Sequence, residues 1–244
     1  MNVLAPEYEI TEIITATEDS PPAFMWDEWY AGVGGRTIDI PEVNEYLRKI
    51  HEEQYPRFDG AVAPVKMEFA SKADAASYVK EKAKEFGADM VGVCVIEPSD
   101  MYQGRSVTHE FAIAVGQKML WREFQTVPSR ESAIECLRIY YALGETVIRL
   151  AELIRSIGYE CKVEHPIGDS DVLHIPIGLK AGFGELGRHG SIINPTFGPL
   201  FRMGSVLTSL PMAIDHPIDA GIAKFCDNCR ACRIYCPADA IGDE

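Results

Sequence analysis

Helical periodicity is the strongest signal in the pattern of apolar and polar positions along this chain. Apolar residues follow helical spacing over residues 71–86, where Ser71 can cap the first turn and Gly87 ends the helix. Residues 129–157 are apolar almost all round, which predicts a long helix buried in a core. A shorter helix is predicted over residues 43–53.

Four further apolar runs predict β-strands. They cover residues 89–96, 111–115, 159–164 and 203–210. Strands that alternate with a helix in this way are typical of an α/β layered domain. Residues 166–201 are rich in Gly and Pro, so a long functional loop is predicted between the last two strands.

Composition and charge narrow the classes of protein to which the chain can belong. Of its 244 residues, 47% are hydrophobic and 25% charged, as in a soluble globular protein with a sizeable core. The formal net charge of −14 argues against a nucleic-acid partner, because phosphate binding favours clustered Lys and Arg. No apolar stretch approaches the ~20 residues of a membrane helix, so no membrane segment is expected.

The most specific sequence motif is a run of cysteines near the end of the chain. Cys226, Cys229, Cys232 and Cys236, followed by Pro237, have the Cys-x2-Cys-x2-Cys-x3-Cys-Pro spacing of a bacterial ferredoxin-type [4Fe–4S] site. Closely spaced thiolates on a tight loop can bind neighbouring irons of one cluster, whereas a zinc ribbon needs two separated Cys pairs. The run therefore predicts a 4Fe-4S cluster.

The other three cysteines have an ordinary explanation. Cys94, Cys136 and Cys161 lie on apolar segments, where a buried free thiol is expected. The first residues of the chain carry no export signal. Free thiols and an iron–sulfur site both suit a reducing compartment, so a cytoplasmic location is predicted.

Residues 181–190 hold four glycines: Gly182, Gly184, Gly187 and Gly190. Their Gly-x-Gly-x-x-Gly subset occurs in many sequences, and a dinucleotide site also needs a preceding strand and an acidic residue ~20 positions on. Neither is clear here. Glycine does allow the backbone to approach a bulky ligand closely, so the segment is a candidate binding site.

The C-terminal half of the chain resembles a known family. The stretch AGFGELGRHGSIINPTFGPLFRMGSVLTSLPM, followed by DHPIDAGIAKFCDNCRACRIYCPADAI, resembles the cobalamin-binding and iron–sulfur region of corrinoid-dependent reductive dehalogenases. The resemblance covers roughly residues 130–244. Epoxyqueuosine reductase shares the same core but has Trp-Ile-Gly-Lys where this chain has Glu-Leu-Gly-Arg at 185–188, and this difference favours the dehalogenases.

The resemblance implies a fold and a reaction. The fold is a nitroreductase-like α/β (α+β) core that buries base-off cobalamin, with an incomplete ferredoxin-type module beside it. On this interpretation residues 1–65 are an N-terminal extension, 66–212 the cobalamin-binding core and 213–244 the module. Electrons from a low-potential donor such as ferredoxin or flavodoxin would reach the cobalt through iron–sulfur clusters, and a small organohalide would lose its halogen.

The family also implies a proton donor. Its members use a Tyr together with a nearby Lys or Arg that stabilises the phenolate. By position in the long helix either Tyr140 or Tyr141 matches the Tyr, and the sequence does not distinguish them. Arg202 matches the cation. Packing is the competing interpretation, because a Tyr in a buried helix is usually a core residue with a satisfied hydroxyl.

In the glycine-rich segment the resemblance implies contacts to the corrinoid. Arg188 and His189 are candidates to bind corrin amides or the phosphate of the nucleotide tail, and loop charges in solvent are the alternative. The four glycines and Asn194 are candidates for backbone packing against the ring. A cobalt ligand from His174 or His189 is not expected, because base-off binding in the family uses no His.

The chain departs from the family after the cysteine run. It ends eight residues after Cys236, without the second run that a complete member supplies. In two-cluster ferredoxins the fourth Cys binds the other cluster, so Cys226, Cys229 and Cys232 would lack their fourth thiolate. A truncated gene, a partner chain or dimer that completes the module, or a non-family fourth ligand would each account for this.

Two other functions stay open. An epoxyqueuosine reductase-like, tRNA-modifying enzyme is favoured by Asp169 and Ser170, since an Asp-Ser pair supplies the acid in that family; an Asx turn after Gly168 is the simpler explanation. The acidic net charge speaks against a tRNA substrate. A non-catalytic iron–sulfur electron-transfer or cobalamin-binding subunit is favoured by the missing second cysteine run.

Overall fold

The computed structural model describes residues 40–125, 127, 129–168, 170–236 and 240–242. Its helices are α1 (Pro41–Lys49), α2 (Lys72–Glu85), α3 (Trp121–Phe124), α4 (Arg130–Ser156), α5 (His174–Lys180), α6 (Ile222–Cys229) and α7 (Ala231–Ile234). Its strands are β1 (Met90–Val95), β2 (Phe111–Lys118), β3 (Cys161–Glu164), β4 (Glu185–Leu186), β5 (Ile192–Ile193) and β6 (Phe201–Thr208). A π-helical turn (Ile50–Gln54) and a 3-10 turn (Tyr55–Arg57) follow α1, and a second 3-10 turn (Pro98–Asp100) follows β1.

A four-stranded sheet with the order β1-β2-β6-β3 forms the centre of the fold. Every neighbouring pair is antiparallel. Strands β2 and β3 both run against β6, so they point the same way, and α4 connects them on one face of the sheet. The predicted strand–helix–strand order is therefore confirmed, while the antiparallel ladder gives the fold its α+β character.

The long helices begin where the sequence predicts, because each has a side-chain cap. Ser71 precedes α2, and its hydroxyl accepts a hydrogen bond from the backbone N–H of Asp74 at 3.1 Å. Ser129 precedes α4 and forms a reciprocal capping box with Ser132. Each cap satisfies backbone donors that have no partner inside the helix, which stabilises the helix by about 1 kcal/mol.

The sheet is covered on both faces. Helices α2 and α4 pack on one face, where Ile113, Val206 and Leu143 are fully buried. Helix α5 and the glycine-rich segment cover the other face, with Ala112, Phe183 and Leu207 in contact. Burial of one large aliphatic side chain stabilises the fold by about 1.5–3 kcal/mol, so these two layers supply most of the driving force for folding.

The predicted long loop over residues 166–201 is wrong in part. It contains the helix α5 and the two-stranded hairpin of β4 and β5. The apolar pattern did not predict helix α5, because its seven residues, HIPIGLK, include both Pro and Gly. Pro176 lies in the first helical turn, where the missing N–H would have no intrahelical acceptor, so it does not break the helix.

The described part of the predicted N-terminal extension packs against α4. Arg57 donates to Glu145 at 2.7 Å and to Glu152 at 2.8 Å. The buried Arg155 donates to the backbone oxygen of Phe58 at 3.0 Å. The domain boundaries at 65 and 212 stay predictions. Within the described residues no helix combines the length and the apolar character needed to cross a bilayer.

Candidate functional site

Tyr140 and Arg202, both predicted from the sequence, meet on the α4 face of the sheet. The guanidinium carbon of Arg202 lies 5.1 Å from the centroid of the Tyr140 ring, which is a cation–π contact. Alternation along β6 directs Arg202 and Gly204 to this face, where a Cβ on Gly204 would touch Val147 of α4. The register of the sheet and the α4 helix therefore place the predicted Tyr and cation together.

Cys136 lies one helical turn before Tyr140 and also contacts Arg202. The Nη2 atom of Arg202 donates a hydrogen bond to the Sγ atom of Cys136 at 3.6 Å. The Nε atom of Arg202 is buried without a hydrogen-bond partner, and within the described residues Arg202 forms no ion pair with a carboxylate. Its positive charge is therefore not neutralised by a described protein group.

Tyr141 has different neighbours from Tyr140. Its hydroxyl donates to the Oε2 atom of Glu53 at 2.9 Å, and its ring lies 5.9 Å from that of Tyr46. The hydrogen bond to Glu53 and burial of the hydroxyl raise the pKa of Tyr141. Tyr141 therefore ties the π-helical turn to α4, and the geometry favours Tyr140 as the residue that faces the cation.

Two histidines, His165 and His174, have desolvated imidazole rings. The Nε2 atom of His165 lies 2.9 Å from the Oε1 atom of Gln54, and the Nδ1 atom of His174 lies 3.4 Å from the hydroxyl of Ser205. Burial lowers the pKa of His165 to about 4 and that of His174 to about 4. Both imidazoles are therefore neutral at pH 7, and neither provides a cation for the site.

Two of the predicted corrinoid-packing glycines are required by the chain's own packing. A Cβ on Gly182 would lie 2.9 Å from the backbone oxygen of His216, and one on Gly184 would lie 2.2 Å from that of Ile193. Gly190 has open space on its Cβ side. Corrinoid packing against this segment stays a prediction, and Gly190 is the position where the backbone is most open.

Asn194 holds the turn at the start of β6. Its side-chain nitrogen donates to the backbone oxygen of Phe183 at 2.6 Å, and its side-chain oxygen accepts from the N–H groups of Thr196 and Phe197. The residue therefore shapes the glycine-rich segment from within. Its predicted contact with a corrin ring is untested.

Arg188 and His189 differ in their surroundings. The Arg188 side chain is only 17% exposed and donates to the Oδ1 atom of Asp227 at 3.0 Å, while its predicted contact with a corrinoid stays a prediction. The Nδ1 atom of His189 accepts from the N–H of Ser191 at 3.1 Å, and its Nε2 atom is buried without a partner. In this segment His189 Nε2 is therefore the buried donor that could bind an acceptor group of a ligand, because a buried donor calls for an acceptor.

The cysteine run lies on two short helices. Cys226 and Cys229 belong to α6, Cys232 to α7, and Cys236 follows directly; all four are free thiols. Arg230 joins the helices in the left-handed conformation, with φ of 52°. Such strained non-glycine residues concentrate at ligand-binding turns, and four free thiols within one turn region suit iron–sulfur chemistry.

Among the described residues no group of three His, Cys, Asp or Glu side chains is placed to hold a metal ion. The fit of the run to a 4Fe-4S cluster therefore rests on the thiol donor set and its spacing. The predicted acid of the tRNA-modifying alternative, Asp169, lies outside the described residues.

One cavity was not anticipated from the sequence. It has a volume of about 480 Å³ beside the ends of β2 and β6. Its lining residues are Lys118, Met119, Leu120, Trp121, Thr196, Phe197 and Leu200. Neither Tyr140 nor Arg202 lines it, although Leu200 lies two residues before Arg202 in the chain. The cavity forms only when the β2 and β6 ends pair, so no local sequence pattern could identify it.

The geometry can be set beside known proteins. No protein-family model matches the sequence. Over 226 residues the chain is 27% identical to the tetrachloroethene reductive dehalogenase of Dehalobacter restrictus, covering 72% of this chain and 40% of that protein. A solved reductive dehalogenase, whose structure suggests a mechanism for B12-dependent dehalogenation, is 27% identical with a TM-score of 0.68, over 82% of this chain and 29% of the other. The chain is therefore similar to reductive dehalogenases in sequence and in fold.

A second, more limited similarity leads to another enzyme. The epoxyqueuosine reductase of Escherichia coli is 31% identical over 93 residues, which cover 38% of this chain and 24% of that enzyme. The match to the dehalogenase covers 72% of the chain, so the resemblance to dehalogenases is the broader one. The chain spans about 40% of the length of the curated dehalogenases it matches.

Proposed function

We propose that this chain is the cofactor-binding core of a reductive dehalogenase-like oxidoreductase. On this proposal a small organohalide loses its halogen as halide, and the carbon–halogen bond is replaced by a carbon–hydrogen bond. The change consumes a proton and a pair of electrons. A low-potential donor such as ferredoxin or flavodoxin supplies the electrons in a cytoplasmic setting.

The observation that carries the proposal is the contact between Tyr140 and Arg202. Proton donation by a phenol is easier when a cation is close enough to stabilise the phenolate that remains. The charge of Arg202 is not paired with a described carboxylate, so it is available for this role. Cys136 holds one end of the guanidinium and keeps it over the ring.

Proton donation, stabilisation of the phenolate and cofactor binding are assigned to different residues. Tyr140 delivers the proton from its hydroxyl, and Arg202 stabilises the phenolate. The buried Nε2 atom of His189 and the open backbone at Gly190 are the groups that would hold a base-off cobalamin. When bound, the corrinoid supplies the low-potential metal chemistry at the carbon–halogen bond.

Electron delivery is assigned to the cysteine run. Cys226, Cys229 and Cys232 would hold one 4Fe-4S cluster, and Cys236 would serve either the same cluster or a second one. A partner chain or dimer would supply any missing thiolate. The protein's contribution here is the spacing of its thiols and the fixed position of α6 beside the glycine-rich segment.

A reconstitution experiment tests the proposal. The chain is purified without oxygen, supplied with iron, sulfide and cobalamin, and its visible spectrum and its iron and cobalt contents are measured. Bound iron together with base-off corrinoid is expected. Iron without corrinoid would contradict the dehalogenase assignment and leave an electron-transfer module.

The tRNA-modifying alternative is tested in the same preparation. A tRNA stem-loop carrying epoxyqueuosine is offered to the loaded protein beside a halogenated aromatic compound. Halide release with no change in the nucleoside is expected, because the chain carries a net charge of −14 and phosphate binding favours clustered cations. Conversion of the nucleoside without halide release would instead favour the alternative.

A further inference from the structure

Glu185 caps the helix that carries two of the candidate cluster cysteines. Its Oε2 atom accepts hydrogen bonds from the backbone N–H groups of Ala220 at 2.5 Å and of Ile222 at 2.9 Å. Ile222 is the first residue of α6, and the preceding Gly221 has no side chain with which to cap it. A carboxylate at this end of the helix satisfies free donors and opposes the positive end of the helix dipole.

Arg188, three residues after Glu185, contacts the same helix further along. It pairs with Asp227, which lies between Cys226 and Cys229. The Arg188 side chain is largely buried whereas Asp227 is 68% exposed, so the cation is held on the core side of the pair. Together the bonds from Glu185 and Arg188 to the α6 region form what we call the hairpin–helix contact.

Backbone hydrogen bonds hold together the hairpin that presents these two side chains. Strand β4 pairs with β5, and the N–H of Gly187 donates to the backbone oxygen of Ser191 at 2.8 Å. Helix α6, in contrast, has no buried residue, and its Phe225 is 61% exposed. Because apolar burial contributes little to holding α6, the polar hairpin–helix contact is its principal tie to the core.

We infer that the hairpin–helix contact positions the cluster-binding helix and sets the reduction behaviour of the cluster that Cys226 and Cys229 hold. The inference rests on the iron–sulfur part of the proposed function. Reduction adds negative charge to a cluster, so fixed charges nearby shift its potential. The negative charge of Asp227 makes reduction of the cluster less favourable, and the positive charge of Arg188 counteracts this effect. The Glu-Leu-Gly-Arg sequence at 185–188 thus has a physical role in joining the glycine-rich segment to the cysteine run.

The first test needs no cofactor. Hydrogen exchange is followed by mass spectrometry in the full chain without iron, over the peptide that contains Ala220 and Ile222. Glu185→Ala is expected to accelerate exchange there about fivefold, since a helix cap contributes about that factor. Glu185→Gln, which keeps a side-chain oxygen acceptor, is the matched control and is expected to stay closer to the wild type. Unchanged exchange in Glu185→Ala would overturn the capping role.

The second test uses the reconstituted cluster. Its midpoint potential is measured by a redox titration that is monitored by electron paramagnetic resonance. Arg188→Gln is expected to shift the potential to more negative values, Asp227→Asn to more positive values, and the double variant back toward the wild type. A purely structural role for the pair would not produce shifts of opposite sign.

The outcomes distinguish a failure of this inference from a failure of the proposed iron–sulfur function. If the wild type takes up a cluster and all three variants have its potential, the electrostatic inference is overturned and the iron–sulfur assignment stands. If the wild type takes up no iron and sulfide, the iron–sulfur part of the proposed function fails, and with it the effect on potential. The exchange experiment still decides whether Glu185 caps α6.

Discussion

Arg202 of β6 lies over the ring of Tyr140 of α4, with 5.1 Å between the guanidinium carbon and the ring centroid. The adjacent Tyr141 instead donates its hydroxyl to Glu53, on the turn that follows α1. The side chains of successive helical residues point about 100° apart, so Tyr140 and Tyr141 contact different parts of the structure.

Tyr140→Phe is expected to lower kcat/KM for halide release by about 10²–10⁴-fold in the cofactor-loaded protein, because a positioned proton donor contributes about that factor. Tyr141→Phe is the matched control: it removes the hydrogen bond to Glu53 and is expected to lower stability by up to about 1 kcal/mol while the rate is retained. Halide is measured by ion chromatography and stability by urea unfolding. Equal rates for Tyr140→Phe and the wild type would rule out Tyr140 as the donor.

Arg202→Gln is expected to reduce dehalogenation strongly, because both the charge and the planar stacking over Tyr140 are lost. Arg202→Lys keeps the charge and is expected to retain more activity. Arg149→Gln serves as the control, since Arg149 lies over the ring of Phe86 at 4.3 Å in a similar cation–π contact elsewhere on α4. Rates are measured across a range of pH. A loss of activity that is as large in Arg149→Gln would point to general destabilisation.

The buried His165 predicts a pH dependence of stability. Burial lowers its pKa from the ordinary 6.5 to about 4 in the folded chain. The unfolded chain therefore binds a proton first as pH falls, so the stabilisation from a neutral His165 is complete above pH 6.5 and is lost progressively toward pH 4. The loss amounts to about 3 kcal/mol at most.

His165→Gln removes this titration while keeping a hydrogen-bonding side chain toward Gln54. Its free energy of unfolding is expected to fall less steeply between pH 7 and pH 5 than that of the wild type. Urea unfolding at each pH provides the comparison. Parallel curves for the two proteins would mean that protonation of His165 does not destabilise the fold.

Gly144 of α4 is a helical position at which alanine is expected to lower the stability of the protein, contrary to its usual helix propensity. Alanine in a helix is normally about 1 kcal/mol more favourable than glycine. Here a Cβ would lie 2.1 Å from the Nε2 atom of His165 and 2.6 Å from the Oε1 atom of Gln54, so the bond between those two side chains would be disrupted. Gly144→Ala is therefore expected to destabilise the protein by about 1–3 kcal/mol.

The control for this substitution is Gly242→Ala, because a Cβ there has open space around it. It is expected to change the free energy of unfolding by less than about 0.5 kcal/mol. Thermal or urea unfolding measures both variants. A stabilised Gly144→Ala protein would show that His165 and Gln54 do not approach α4 as described.

The elements with a regular local pattern could be predicted from the sequence. Helix α4 follows from its apolar periodicity and from Ser129 as its cap, and α2 follows from Ser71 in the same way. Both signals act within one or two helical turns, so no knowledge of the fold is needed. Helix α5 could not be predicted, because Pro and Gly in a seven-residue segment hide its periodicity and only packing against the sheet stabilises it.

The candidate chemistry could be identified from the amino-acid sequence: the spacing of four thiols, a pair of tyrosines in a buried helix and a cation in a later strand. These are properties of residue type and of short-range spacing. The three-dimensional fold was needed to show that Tyr140 contacts Arg202, that Arg188 pairs with Asp227 and that Glu185 caps α6. Each of those contacts joins residues far apart in the chain, and it depends on the strand register and on the way the helices pack on the sheet, which no local pattern encodes.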